Sequence, residues 1–150
     1  MKSDWSGEIE ILGDVQTQGS KKAFSNKKTG RPIMVEANPK LKSWRSEVQA
    51  AMSQVAPETP LTGAVGVTMT IYVQRPLAHY GTGGKATTLK PSAPTLPATG
   101  KDCDKVARAI GDAGSGVWWR DDRGIAEWHV KRLYAEDGRT RITISAREME

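Results

Sequence analysis

The sequence predicts an α/β (α+β) fold, a small mixed β-sheet packed with two main helices. Three patterns carry that expectation. Apolar residues recur at three- and four-residue spacing after Asn38, a strict alternation runs from Ala64 to Val73, and a shorter helical stripe follows Asp102. At 150 residues the chain is expected to form one domain, 1–150, and five tryptophans argue for real packing surfaces.

Residues 1–8 read as a loose end, and Ile9, Ile11 and Leu12 open a first strand. The polar stretch 16–31, punctuated by Gly19 and Gly30, reads as a flexible basic segment: a surface loop, or an arm that orders on contact with a polyanion. Pro32 to Val35 form a brief strand. Asn38 followed by Pro39 is a helix-start signal, the asparagine as cap and the proline in the first turn. Leu41, Trp44, Val48, Ala51, Met52 and Val55 then mark the apolar face of a helix ending before Pro57, with Lys42, Arg45 and Gln49 toward the other face.

The alternation of Val65, Val67, Met69, Ile71 and Val73 predicts a strand with one face on the core and Gly66, Thr68, Thr70 and Tyr72 on the other. Residues 74–100, rich in glycine and proline, are the least regular stretch. So long a loop in a compact domain is usually functional or disordered. Because it runs directly into the first pair of acids, it is read as a substrate-side loop. Its GTGG cluster lacks the GxxxxGKS/T pattern of a phosphate loop. His79 reads equally as a phosphate contact or a solvent-facing residue. After Asp102, Val106, Ala109, Ile110 and Ala113 supply the stripe of the second helix, ended by Gly114 and Gly116. The segments from Ile125 to Tyr134 and from Arg139 to Ala146 read as a hairpin turning at Asp137 and Gly138, with a frayed REME end.

The net charge is +5 and the isoelectric point about 9.4. Lys21, Lys22, Lys27, Lys28, Arg31, Lys40, Lys42 and Arg45 stand against the single acid Glu36 in residues 21–45. Such a field attracts a polyanion and makes binding salt-dependent, although a basic face can also serve solubility alone. No stretch approaches the roughly 18–20 apolar residues of a bilayer span and no apolar leader opens the chain, so no membrane role is expected. One cysteine, Cys103, makes neither an internal disulfide nor a zinc site and reads as a small buried residue in a reducing, intracellular setting.

Chemistry concentrates in KDCDKVARAIGDAGSGVWWRDD, residues 101–122. Asp102 and Asp104 open the second helix, and Asp121 and Asp122 follow two tryptophans. Four carboxylates brought together would make hard oxygen ligands for Mg²⁺, able to activate water and neutralise a phosphoryl group. Arg108, four residues beyond Asp104, or Lys105 could stabilise charge on the scissile phosphate or hold a carboxylate. Each piece also has a plain reading: Asp102 as a helix cap, Asp121 and Asp122 as a turn, Lys105 and Arg108 as solvent-facing ion pairs. On the acids alone, a magnesium-dependent phosphatase or sugar-phosphate enzyme remains compatible.

Taken together, GSKKAF at 19–24, NPKLKSWRSEV at 38–48, DCDKVARAIGDA at 102–113 and VWWRDD at 117–122 resemble the RusA family of Holliday junction resolvases. The resemblance implies a homodimer of small α/β subunits, cytoplasmic in a bacterium or in the host of a phage. It implies an Mg²⁺-dependent or Mn²⁺-dependent endodeoxyribonuclease that nicks four-way or branched DNA in pairs. It assigns catalysis to Asp102, Asp104, Asp122 and Arg108, and metal binding to Asp102, Asp104, Asp122 and Asp121. DNA contacts are expected at Lys21, Lys22, Lys27, Lys28, Arg31, Lys42, Arg45 and Lys105. The chain departs from the family's DxDN pattern at Lys105, and Arg108 matches the family's helical lysine in sign but not in type; an arginine is no accessible proton donor. A broader flap nuclease and a catalytically inactive junction-binding protein are the alternatives.

Overall fold

The strand expected from the Ala64 to Val73 alternation is the centre of the sheet in a computed structural model, which describes residues 4–18, 21–25, 32–36 and 40–149 (backbone only at 21–25 and 32–36). The strands are β1 (Ser6–Leu12), β2 (Lys21–Ser25), β3 (Pro32–Glu36), β4 (Val65–Val73), β5 (Ile125–Tyr134) and β6 (Arg141–Glu148), and the helices α1 (Leu41–Gln54) and α2 (Cys103–Gly114). Four strands form a mixed sheet in the order β1-β6-β4-β5, with β4 parallel to β5 and antiparallel to β6. The α+β expectation therefore holds. β2 and β3 pair antiparallel in a separate two-stranded sheet, so residues 21–25 of the basic segment are a strand.

One face of the four-stranded sheet makes the core. Val65, Val67, Met69 and Ile71 of β4, Ile142, Ile144 and Ala146 of β6, and Ile9 and Ile11 of β1 are buried there. Against them lie Leu41, Trp44, Val48 and Met52 of α1 and Val106, Ala109, Ile110 and Ala113 of α2. The stripe of α2 falls on the residues its periodicity picks out, and so does that of α1 except at its end: Ala51 is partly buried, and Val55, just past the helix, is exposed. The opposite sheet face exposes Thr68 and half-exposes Thr70 and Tyr72.

The expected C-terminal hairpin does not form. β5 and β6 both pair with β4, which lies between them. The turn chemistry is present, since Asp137 Oδ1 accepts from the Arg139 N–H at 3.1 Å. However, the connection is the whole of residues 135–140. Crossing one strand means covering about 10 Å, well within reach of a chain extending about 3.3 Å per residue. The gain is burial: Ile142 and Ile144, both fully buried, acquire a neighbouring strand on each side. α2 in turn lies in the crossover that makes β4 and β5 parallel.

Of the stretches expected to be loose, Trp5, Glu148 and Met149 are tied to the body. The Trp5 ring packs edge-on against Trp118 at 5.2 Å, the Glu148 N–H donates to Trp5 O at 3.0 Å, and the Met149 N–H donates to Ala64 O at 2.8 Å. The start signal at Asn38 lies outside the described residues; α1 begins after Lys40, which makes no side-chain cap bond.

Candidate active site

Two arginines hold residues 74–100 to the body. Arg75, only 8% exposed, donates to Glu136 Oε1 at 2.9 and 3.0 Å and to Pro94 O at 2.8 Å, and stacks on Tyr134. His79 belongs to this anchor, its Nδ1 3.2 Å from Arg75 Nη1 and its ring edge-on to Tyr134, rather than facing solvent. At the other end, Arg132 donates to Thr99 O at 2.8 Å, Lys101 O at 3.1 Å and Pro97 O at 3.3 Å. Gly100, at φ +108°, permits that approach: a Cβ there would stand 3.1 Å from Arg132 Nη1. Lys101 Nζ also donates to Val15 O. The backbone entering Asp102 is therefore held by Arg132 and by the bond from Lys101 to Val15. Arg132→Ala removes hydrogen bonds from a charged donor, each worth about 1.5–3 kcal/mol. Amide exchange over 98–104 is expected to rise by at least about 10- to 150-fold, the equivalent of one such bond, which mass spectrometry would read; an unchanged rate would mean that Arg132 does not hold this backbone.

Asp102 occupies the N-cap position of α2 with extended backbone, yet its side chain makes no capping bond. Instead it pairs with Lys105 Nζ at 3.5 Å, both groups well exposed. Asp104 and Arg108 follow on the solvent side of α2, Asp104 in its first turn. Arg108 forms no ion pair with any described residue, Asp104 included.

Beyond α2, the chain dives into the core. Trp118 and Trp119 are fully buried; the first donates from Nε1 to Met52 O at 2.9 Å and the second to Gly111 O at 2.9 Å. The chain resurfaces at Arg120, whose N–H donates to Leu61 O at 2.9 Å, and brings Asp122 alongside Gly111 of α2. Asp121 caps a short 3-10 turn, Asp122–Gly124, accepting from the Arg123 N–H at 2.9 Å and from Arg123 Nε at 3.2 Å. Those bonds hold its carboxyl below the usual range. Asp122 turns back toward α2. Although exposed as a residue, its carboxyl is pushed upward, first by desolvation and then by Asp121 and Asp112.

Asp104, Arg108 and Asp122 line one cavity of about 600 Å³, together with Cys103, Ala107, Gly111, Trp128 and Val130. Asp102 and Asp121 do not line it. Among the described residues no three acidic, histidine or cysteine side chains converge into one chelating group, so the four expected ligands are not gathered as a cage. The donor chemistry of the cavity still suits Mg²⁺, which commonly takes one or two carboxylates and fills its shell with water and substrate phosphate.

Of the expected DNA contacts, Lys42 is exposed on α1 and Lys105 is half-exposed beside Asp102. Arg45 and Gln49 face α2 rather than away from it: Arg45 pairs with Asp112 at 3.4 Å, and Gln49 Nε2 donates to Ala113 O at 3.3 Å. Lys21 and Lys22 lie on β2, while Lys27, Lys28 and Arg31 lie outside the described residues.

Sequence reasoning missed Asp112, which accepts from Gln18 Nε2 at 2.6 Å and adds to the negative field at Asp122. The signal was available, since Asp104, Arg108 and Asp112 recur every four residues along one helix face. Sequence reasoning put Trp128 and Val130 on one strand parity but left Trp128 out of the site, and it missed the anchoring roles of Arg75 and Arg132.

Among known proteins, YqaN of Bacillus subtilis (strain 168), described as an uncharacterized protein, is 28% identical over 106 residues, covering 70% of this chain and 73% of its own. The family described as Endodeoxyribonuclease RusA matches residues 14–145, a span that contains both helices, the two acidic pairs and the cleft between them. The chain thus belongs to the RusA endodeoxyribonuclease family.

Proposed function

We propose that this chain is a divalent-metal-dependent endonuclease that resolves four-way DNA junctions by paired phosphodiester cleavage. The observation that carries this is the convergence of Asp104 and Asp122, delivered by separate elements, on one cleft beside Arg108 in a member of an endodeoxyribonuclease family. Asp104 and Asp122 are the ligands nearest the substrate; Asp102 and Asp121, which stand outside the cleft on Lys105 and Arg123, would join them on giving up those pairs. When bound there, Mg²⁺ or Mn²⁺ supplies an acidified water and neutralises charge on the phosphoryl oxygens.

The chain's own residues do the remaining work. Arg108 presents a fixed positive charge to the phosphoryl group as negative charge develops. A guanidinium stays protonated, so Arg108 acts as an electrostatic clamp and the leaving oxygen takes its proton from solvent. Lys105 answers a DNA phosphate on one side and Asp102 on the other. The basic segment 16–31 and Lys42 track the backbone, with Arg45 adding positive charge behind them while it stays paired with Asp112, and the loop 74–100 flanks the substrate. A homodimer, operating in the bacterial cytoplasm, brings two such clefts to the two strands to be cut. No described helix is long and apolar enough to cross a membrane.

The deciding experiment is cleavage of a labelled mobile four-way junction in Mg²⁺ and in chelator, beside flap and linear duplex controls. Paired nicks near the crossover, only with metal, are expected. Equal cutting of flaps would make the enzyme a broader branched-DNA nuclease, and tight binding without cutting in Mg²⁺ or Mn²⁺ would make it a junction-binding protein. Replacing Lys21, Lys22, Lys27 and Lys28 by Ala is expected to reduce the slope of log affinity against log salt by about 3–4, at about 0.9 for each phosphate that is no longer neutralised. An unchanged slope would remove the arm from the interface.

A further inference from the structure

Metal-assisted cleavage needs carboxylates and positive charge; it does not need an indole. Yet the wall of the cleft opposite α2 is Trp128 and Val130, two successive cleft-facing residues of edge strand β5. Trp128 is 36% exposed, whereas Trp118 and Trp119 are fully buried. Its ring meets α2 where Asp122 does: a Cβ on Gly111 would lie 3.4 Å from Asp122 Cβ and 3.8 Å from Trp128 Cζ2. The aromatic surface therefore stands beside the carboxylate, with Arg108 lining the same space. A cavity of about 600 Å³ is in the size range of small-molecule sites and has room for a nucleotide.

We propose that the cleft is a nucleobase subsite, in which the base next to the scissile phosphate leaves its stack and lies on Trp128 while its phosphate faces Asp104 and Asp122. The proposal rests on the nuclease reading above and adds how the site selects branched DNA. In an intact duplex the base cannot reach the ring without being unpaired and unstacked, a penalty smallest where pairing is already interrupted. Stacking on an aromatic side chain tolerates any base because every base has a π-face. Branch selectivity then has a single residue behind it.

The test uses the full-length protein and a four-way junction carrying 2-aminopurine at single positions flanking the crossover, in EDTA so that no strand is cut. With wild type and Trp128→Phe, one position is expected to change fluorescence on binding. With Trp128→Ala that change disappears and affinity falls about five- to 150-fold, the range for losing one stacked base. An abasic site at the same position is expected to remove the difference between wild type and Trp128→Ala. Equal affinity and equal fluorescence response in Trp128→Ala would overturn the subsite. So would a change in oligomeric mass by size-exclusion light scattering, because the ring would then belong to a contact between copies. A wild type that gives the fluorescence change but never cuts in Mg²⁺ would sink the nuclease reading while supporting the subsite.

Discussion

Asp122→Asn is expected to lower cleavage of a four-way junction by at least about 100-fold, since even partners one step removed from a metal ligand are worth about 10–100-fold. Junction binding in chelator is expected to survive, because the substitution is isosteric on a residue exposed at the cleft. Asp104→Asn is expected to behave alike, and Asp102→Asn to lose cleavage as the third acid of the set. The measurement is single-turnover cleavage beside an affinity titration in EDTA. A variant at any of these positions that cuts like wild type would strike that residue from the ligand set.

Asp122 also carries a stability signature that an ordinary surface acid would lack. Its carboxyl sits above the usual range through desolvation and the neighbouring Asp121 and Asp112. The native state therefore holds that proton to higher pH than the unfolded chain does, and stability falls as pH rises through the interval between the two values. Above the native value, ionised Asp122 is a net penalty on the metal-free fold. Asp122→Asn removes the penalty, so in chelator at neutral pH the variant is expected to melt no lower than wild type. Any gain should vanish as pH falls through the native value. A clear loss of melting temperature at neutral pH would mean that Asp122 holds the fold together.

The second large effect is expected at Gly114. A Cβ there would stand 2.3 Å from Trp119 Cζ2, 2.7 Å from Cε2 and 2.8 Å from Cη2. The ring cannot swing away, for Trp119 is fully buried and its Nε1 is bonded to Gly111 O at 2.9 Å. Overpacking of this kind costs about 3 kcal/mol, and at this size each kcal/mol lowers the melting temperature by about 2–4 °C. Gly114→Ala is thus expected to melt roughly 6–12 °C below wild type and to cut more slowly, because Trp119 delivers the chain to Asp121 and Asp122. Gly111→Ala is the control. Its Cβ meets nothing closer than 3.4 Å and gains helix propensity of about 1 kcal/mol, so its melting temperature should hold or rise. Equal melting of Gly114→Ala and wild type would show that the Trp119 ring can repack.

By itself the sequence determined what depends on neighbours along the chain. The spacing of Leu41, Trp44, Val48 and Met52, and of Val106, Ala109, Ile110 and Ala113, sufficed for both helices because a helix repeats every 3.6 residues whatever it packs against. The alternation in 64–73 sufficed for β4, and the motifs around Asp102 and Asp122 sufficed for the family. Tertiary structure decided which strand lies beside which. The turn at Asp137 and Gly138 reverses the chain, but only the burial of Ile142 and Ile144 places β6 between β1 and β4. It decided which acids meet: Asp104 and Asp122 share a cleft, while Lys105 holds Asp102 and Arg123 holds Asp121. It also turned Arg75 and Arg132, two more positive charges in the sequence, into anchors of the loop. The physical reason is range. Helix and strand periods are set by local backbone geometry, whereas strand order and the partners of charges are set by burial and by distances across the fold, which sequence separation does not encode.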